Sequence, residues 1–135
     1  MPVSFSKFQS FVEAVAEKVH NLGSDNLTLA LTNSAPNATD TQLSQITEVA
    51  YTYCSARVLQ NVTSSQTGGT YTLSADDLVL SASGGAIGPF QYVVLFNDTA
   101  TNDELIGYYD YGAPITVNDG ESFTFDIATS ILTLV

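Results

Sequence analysis

At 135 residues, with 44% hydrophobic and 13% charged side chains, the chain has the length of one domain and too much apolar content for a disordered tail. Three basic residues, Lys7, Lys18 and Arg57, stand against fourteen acidic ones for a formal net charge of −11, so no cation cluster exists to neutralise phosphates, and nucleic acid and anionic membrane are poor partners. Cys54 is the only cysteine, which excludes an internal disulfide scaffold and leaves a small hydrophobe expected to be buried.

The opening "MPVSFSKFQSF" lacks the basic region and continuous apolar stretch of a signal peptide, and no run reaches the roughly 20 apolar residues of a membrane span. Synthesis in a reducing cytosol is expected. The Asn-x-Thr triplets at Asn26, Asn37, Asn61 and Asn97 then read as turn chemistry rather than glycosylation acceptors. Phe5, Phe8, Val12, Val15 and Val19 recur at spacings of three and four, which predicts one amphipathic helix over about residues 6–20. Ser6-Lys7-Phe8-Gln9 matches a capping box, with Ser4 as the rival cap, Phe11 widens the apolar stripe, and His20, Asn21 and Gly23 are suitable terminators. At that helix end, His20 is expected to play a structural part, as a cation meeting free carbonyls.

From Asn26 the period changes to two. In "NLTLALTN", Leu27, Leu29 and Leu31 alternate with Thr28, Ala30 and Thr32, the pattern of a half-buried strand. "SAPNATDTQ" reads as a loop, and "LSQITEVAYTYC" is divided between a short helix and a strand. "ARVLQNVTS" and "GTYTLS" read as strands around a Gly68-Gly69 turn, followed by strands in "DDLVLSAS", "FQYVVLFN", "ELIGYYDY", "ESFTFDI" and "ILTLV". The separators are "DTATND", "GAPITVNDG" and "ATS". One helix followed by short strands predicts a mainly β single domain over residues 1–135: an antiparallel β-sandwich or jelly-roll-like fold with one N-terminal helix.

"SGGAIGPFQYVVLFND" tests for a ligand loop. A P-loop needs Gly-Lys-Ser/Thr opening a helix, and a dinucleotide fingerprint needs a strand, a turn and a helix. Here no lysine follows, and Pro89-Phe90 leads into a β-type run. Gly84, Gly85 and Gly88 are therefore expected to supply positive-φ positions or a bulge ahead of a central strand covered on both faces.

The acidic groups Asp98/Asp103/Glu104, Asp76-Asp77 and Asp119/Glu121 do not reproduce an EF-hand series and read as turn-forming, solubilising carboxylates. No Gly-x-Ser-x-Gly elbow or metal-binding histidine pair occurs, so the chain reads as a non-enzyme without cofactor or metal. "GYYDYG" sets Tyr108, Tyr109 and Tyr111 together; alternation sends Tyr109 and Tyr111 to one face and Tyr108 to the other, for core packing, a subunit interface or carbohydrate stacking. Phe5, Phe8 and Phe11 join them as candidate interface residues.

The order of segments resembles a group of small bacteriophage virion structural proteins. The resemblance rests on "VHNLGSDNLTLALTNSAPN", "ITEVA", "GGTYTLSADDLVLSASGGAIGPFQYVVLFNDT", "LIGYYDYG" and "NDGESFTFD" followed by "ILTLV", and it covers most of the chain. "YTYCSARVLQ" departs from it, where similar proteins tend to carry a glycine-rich segment. The resemblance implies a cement or decoration protein on the capsid exterior, made in the host bacterial cytoplasm, with the major capsid protein and itself, as dimer or trimer, for partners. A tail, neck or fibre-associated component is the alternative address, and a carbohydrate-binding module is the alternative class. No catalytic residue is implied.

Overall fold

The computed structural model describes residues 4–127 and 130–135. Two residues of the expected "ATS" turn, Ala128 and Thr129, and the first three of the chain lie outside the described residues. The chain is mainly β with antiparallel sheets and one short helix. Strands β1 (Ser6–Lys7), β2 (Leu27–Thr32), β6 (Ile87–Asn97) and β7 (Leu105–Val117) form a four-stranded sheet in the order β1-β7-β6-β2. Strands β3 (Thr63–Thr67), β4 (Thr70–Ser74) and β9 (Leu132–Leu134) form a second sheet, and β5 (Leu78–Ser81) with β8 (Ser122–Phe125) a third. Among the described residues no helix is long and apolar enough to cross a membrane.

Strand β6 is central because its sequence suits burial on both sides. Val93 and Leu95 enter the larger core cluster with Leu29, Leu73, Leu80, Tyr109, Phe125 and Leu132, which come from all three sheets. Val94 and Phe96 point the other way, into a smaller cluster with Phe8, Ala30, Ile46 and Leu105. The continuous apolar run thus reflects two dry faces, as expected. Strand β2 shares this situation. All six of its residues are buried, not the half expected, because Ala30 meets the smaller cluster and Thr32 Oγ1 accepts from Ser34 N.

The N-terminal segment corrects the helix expected over 6–20. Ser6–Lys7 is a strand, paired with Tyr108 and Gly107 of β7, and the helix α1 covers only Phe11–Ala16. The main chain before it is already engaged: Phe8 N donates to Ile106 O and Gln9 N to Ala38 O. Ser6 therefore caps nothing, and Ser10 precedes the helix without a side-chain cap. Lys18, at φ 67°, closes the turn, with Val19 N donating back to Ala14 O. The predicted stripe is only partly the buried face: Phe8 and Phe11 are 0% and 1% exposed, but Val12 is 53% exposed.

Between β2 and β3 the ambiguous "LSQITEVAYTYC" keeps one turn of 3-10 helix, Leu43–Gln45, and no strand. The strand expected in "ARVLQNVTS" reduces at its start to an isolated bridge, Thr28 with Val58; its last residues enter β3. This irregular segment still covers the outer edge of β2. Val49 N donates to Leu31 O, Leu29 N to Arg57 O and Leu59 N to Leu27 O. The Arg57 guanidinium lies 3.6 Å above the Tyr51 ring centre and donates to Leu29 O at 2.5 Å. Tyr51 in turn donates to Glu48 at 2.6 Å and accepts from Leu31 N at 3.0 Å. Scattered main-chain bonds, reinforced by side chains, replace a continuous ladder here.

Candidate interaction surface

The glycine stretch is a bend rather than a cradle. Gly84 and Gly88 have φ of 92° and 102°, the region L side chains avoid. Gly85 has another reason to lack a side chain, since a Cβ there would overlap the Tyr53 ring. Gly88 precedes a cis peptide bond to Pro89, and a Cβ on it would stand 2.6 Å from Ile115 O of the neighbouring strand. Gly84 N donates to Asp119 at 2.9 Å, so that main-chain donor is satisfied within the protein.

Four of the six aromatic candidates pair with one another, on the two sides of β7. Because β1 pairs with β7 at Gly107 and Tyr108, Phe5 is carried across Gly107 and stands edge-on to Tyr109, centroids 5.7 Å apart. Phe8, on the far side of the sheet, meets Tyr108 at 5.1 Å. Tyr109 is edge-on to Phe125 at 4.9 Å and Tyr111 to Phe123 at 5.2 Å. Tyr109 and Tyr111 share one face and Tyr108 the other, as alternation requires. The assembly is an aromatic joint holding the N-terminal segment on the sheet.

Its exposure is uneven. Phe8, Phe11 and Tyr109 are buried, at 0%, 1% and 6%, so in the folded chain they are core rather than contact surface. Phe5, Tyr108 and Tyr111 are half-buried and form the accessible part. Burial pushes the Tyr109 and Tyr111 hydroxyls up, the latter to about 12. A sugar platform needs open ring faces; Tyr109 offers none, and Tyr108 and Tyr111 lie on opposite sides of β7.

His20 lies beyond the helix end, at the edge of the larger core. It is 7% exposed, packed on Phe11 with centroids 5.6 Å apart. Asn97 Oδ1 accepts from Thr99 N and Ala100 N, which turns its Nδ2 toward His20 Nδ1 at 2.9 Å and Asp25 at 2.6 Å. Nδ1 therefore accepts and Nε2 carries the hydrogen. Burial holds the imidazole pKa below its ordinary 6.5, against the pull of Glu104 and Asp25. His20 is thus a neutral core histidine, not the cationic helix terminator expected. Sequence alone carried no signal for its pairing with Asn97, a residue that reads there only as part of a turn.

Cys54 is half-buried rather than buried, and burial raises its thiol pKa, the setting of a weakly reactive thiol. Among the described residues no three His, Cys, Asp or Glu side chains converge as metal ligands. The Asp103 pKa is raised, by desolvation first and then by the neighbouring Asp98 and Glu104 carboxylates. Comparison with protein-family models, curated proteins and solved structures finds no match for the chain.

Proposed function

We propose that the protein is a non-enzymatic virion component of a bacteriophage, a decoration protein that binds the assembled head from outside and stabilises it. One observation supports the reading: most of the segments resembling small phage structural proteins fall on framework strands, while "ITEVA" and the start of "VHNLGSDNLTLALTNSAPN" lie in irregular chain. "VHNLGSDNLTLALTNSAPN" contains β2, "GGTYTLSADDLVLSASGGAIGPFQYVVLFNDT" runs from the β3–β4 turn through β6, "LIGYYDYG" falls in β7, and "NDGESFTFD" and "ILTLV" contain β8 and β9. The departing "YTYCSARVLQ" falls in the irregular cover over β2, where a change leaves the framework register alone.

We read the packing of the four-stranded sheet against the two smaller ones as a β-sandwich of jelly-roll type, supported by the single large core drawing on all three sheets. A protein that prefers the assembled shell stabilises it by mass action. The half-buried aromatics Phe5, Tyr108 and Tyr111 supply amphipathic contact area, and the charge of −11 suits a basic docking surface and opposes non-specific clumping. Purified protein added to particles lacking it is expected to bind and raise their heat resistance. Absence of binding, or binding without that gain, removes the reading. Copy number per particle separates head from tail: a decorator approaches the shell subunit's number or a fixed fraction of it, whereas a neck or tail-tip component is far scarcer.

A further inference from the structure

We infer that β3 is a self-association edge through which two copies of the chain join their sheets antiparallel about a two-fold axis. Strand β3 is the outer strand of its sheet, pairs with β4 in unbroken register, and has all five residues exposed. Edge strands are ordinarily blunted by charge, proline, bulges or a covering segment. The outer edge of β2 is covered by the Val49–Leu59 segment, and β7 beyond β1 carries Pro114 and a positive-φ Gly112. Strand β3 has none of these protections.

Its geometry is self-complementary. Gly68 and Gly69, both at positive φ, make a two-residue turn closed by Thr67 and Thr70, a hydrogen-bonded pair in such hairpins. Alternation then commits the main-chain groups of Thr63, Ser65 and Thr67 to β4 and turns those of Ser64 and Gln66 outward. The sequence Thr-Ser-Ser-Gln-Thr reads nearly the same in both directions. Laid antiparallel about Ser65, each Ser64 faces the second copy's Gln66 and exchanges both main-chain hydrogen bonds with it, while Thr63 faces Thr67, a favourable cross-strand pair. Isologous contacts of this kind are the commonest in homodimers.

The register points to a second copy as the occupant, and local charge does not oppose it. From Asn61 to Ala75 the chain has no charged residue, although the whole carries −11. Two such copies repel over most approaches, and the hairpin adds no charge of its own to that repulsion. A second copy thus fits the edge, and salt, by screening the remaining charges, strengthens the pairing. The pairing forms without any shell, so its failure would leave the capsid reading standing.

Sedimentation velocity of the isolated protein is expected to show a species of twice the monomer mass, growing with concentration and with added sodium chloride. Gln66→Pro removes an outward N–H while sparing the bonds to β4, and is expected to give a folded monomer by circular dichroism and sedimentation. In a Cys54→Ser background, Ser65→Cys brings two thiols together across the axis, with Cα atoms about 4.5 Å apart as in non-hydrogen-bonded pairs and within disulfide reach. Oxidised glutathione takes up the two electrons and two protons and the chains become linked, whereas Thr63→Cys in the same background does not link to itself. A wild type that stays monomeric throughout, a dimer that survives Gln66→Pro, or Ser65→Cys linking no faster than Thr63→Cys overturns the proposal.

Discussion

Replacing Gly88 by alanine tests whether the glycine-rich bend is a structural necessity. Two costs add. Holding a non-glycine residue at φ 102° costs about 1–3 kcal/mol. The new Cβ would also stand 2.6 Å from Ile115 O and 3.1 Å from Phe90 N, and neither main-chain atom can swing away. Moving β6 or β7 aside to relieve such overpacking costs roughly another 1–3 kcal/mol. The sum, about 2–6 kcal/mol, is a large part of the total stability of about 5–15 kcal/mol of a domain. Gly112→Ala is the control, since Gly112 has φ 83° but nothing within 4 Å of its would-be Cβ, so it carries the conformational cost alone. Urea unfolding followed by circular dichroism is expected to place Gly88→Ala below Gly112→Ala by about 1–3 kcal/mol at an unchanged m-value. Equal losses for the two variants would refute the role assigned to the Ile115 carbonyl, and a loss under about 1 kcal/mol for Gly88→Ala would refute the strain as well.

Gly107→Ala places a Cβ inside the Phe5 ring; expelling that ring forfeits its edge contact with Tyr109 and part of its burial, about 1–3 kcal/mol, seen as faster proteolysis of the N-terminal segment than in wild type. Burial lowers the His20 pKa below 6.5, so between 6.5 and the folded value the unfolded chain binds the proton and the folded chain does not. Stability is therefore expected to fall as pH drops below about 6.5 and to level off beneath the folded pKa; urea midpoints over this window should show the slope in wild type and lose it in His20→Gln. Arg57→Lys keeps the charge but loses the planar stack on Tyr51, an expected cost of about 1–2 kcal/mol by the same urea titration.

The strands were legible where local pattern and tertiary placement agree. The Gly68-Gly69 hairpin, the alternating β5, the doubly covered β6 and the facing of Tyr108 against Tyr109 all follow from periods of two and from turn residues. The N-terminal segment was misread because its phenylalanines happen to fall at helical spacing, while the partners that decide the matter, Tyr108 and Ile106, lie near the other end of the chain. Spacing predicts which residues can share a face and is silent on which main-chain groups a distant strand will claim. The cover over β2 failed for a related reason. Residues 46–62 touch β2 through scattered bonds and the Arg57–Tyr51 stack, an arrangement with no period to detect. Of the candidate surface, sequence named the aromatic residues by type; that Phe5 packs on Tyr109 and Phe8 on Tyr108 depended on β1 pairing with β7, and that Phe8, Phe11 and Tyr109 are core had no signal in spacing.

That pairing also sets an order of events. Nearly three quarters of the chain's length separates Phe8 from the carbonyl of Ile106 that it engages, and closing so long a loop is slow compared with forming the local hairpins. Until β7 is in place, Phe5, Phe8 and Phe11 have no dry surface to occupy and remain open to other apolar surfaces. A chain cut short before Leu105 would therefore present a sticky N-terminal segment beside well-formed hairpins, and the completed fold is what renders that segment silent.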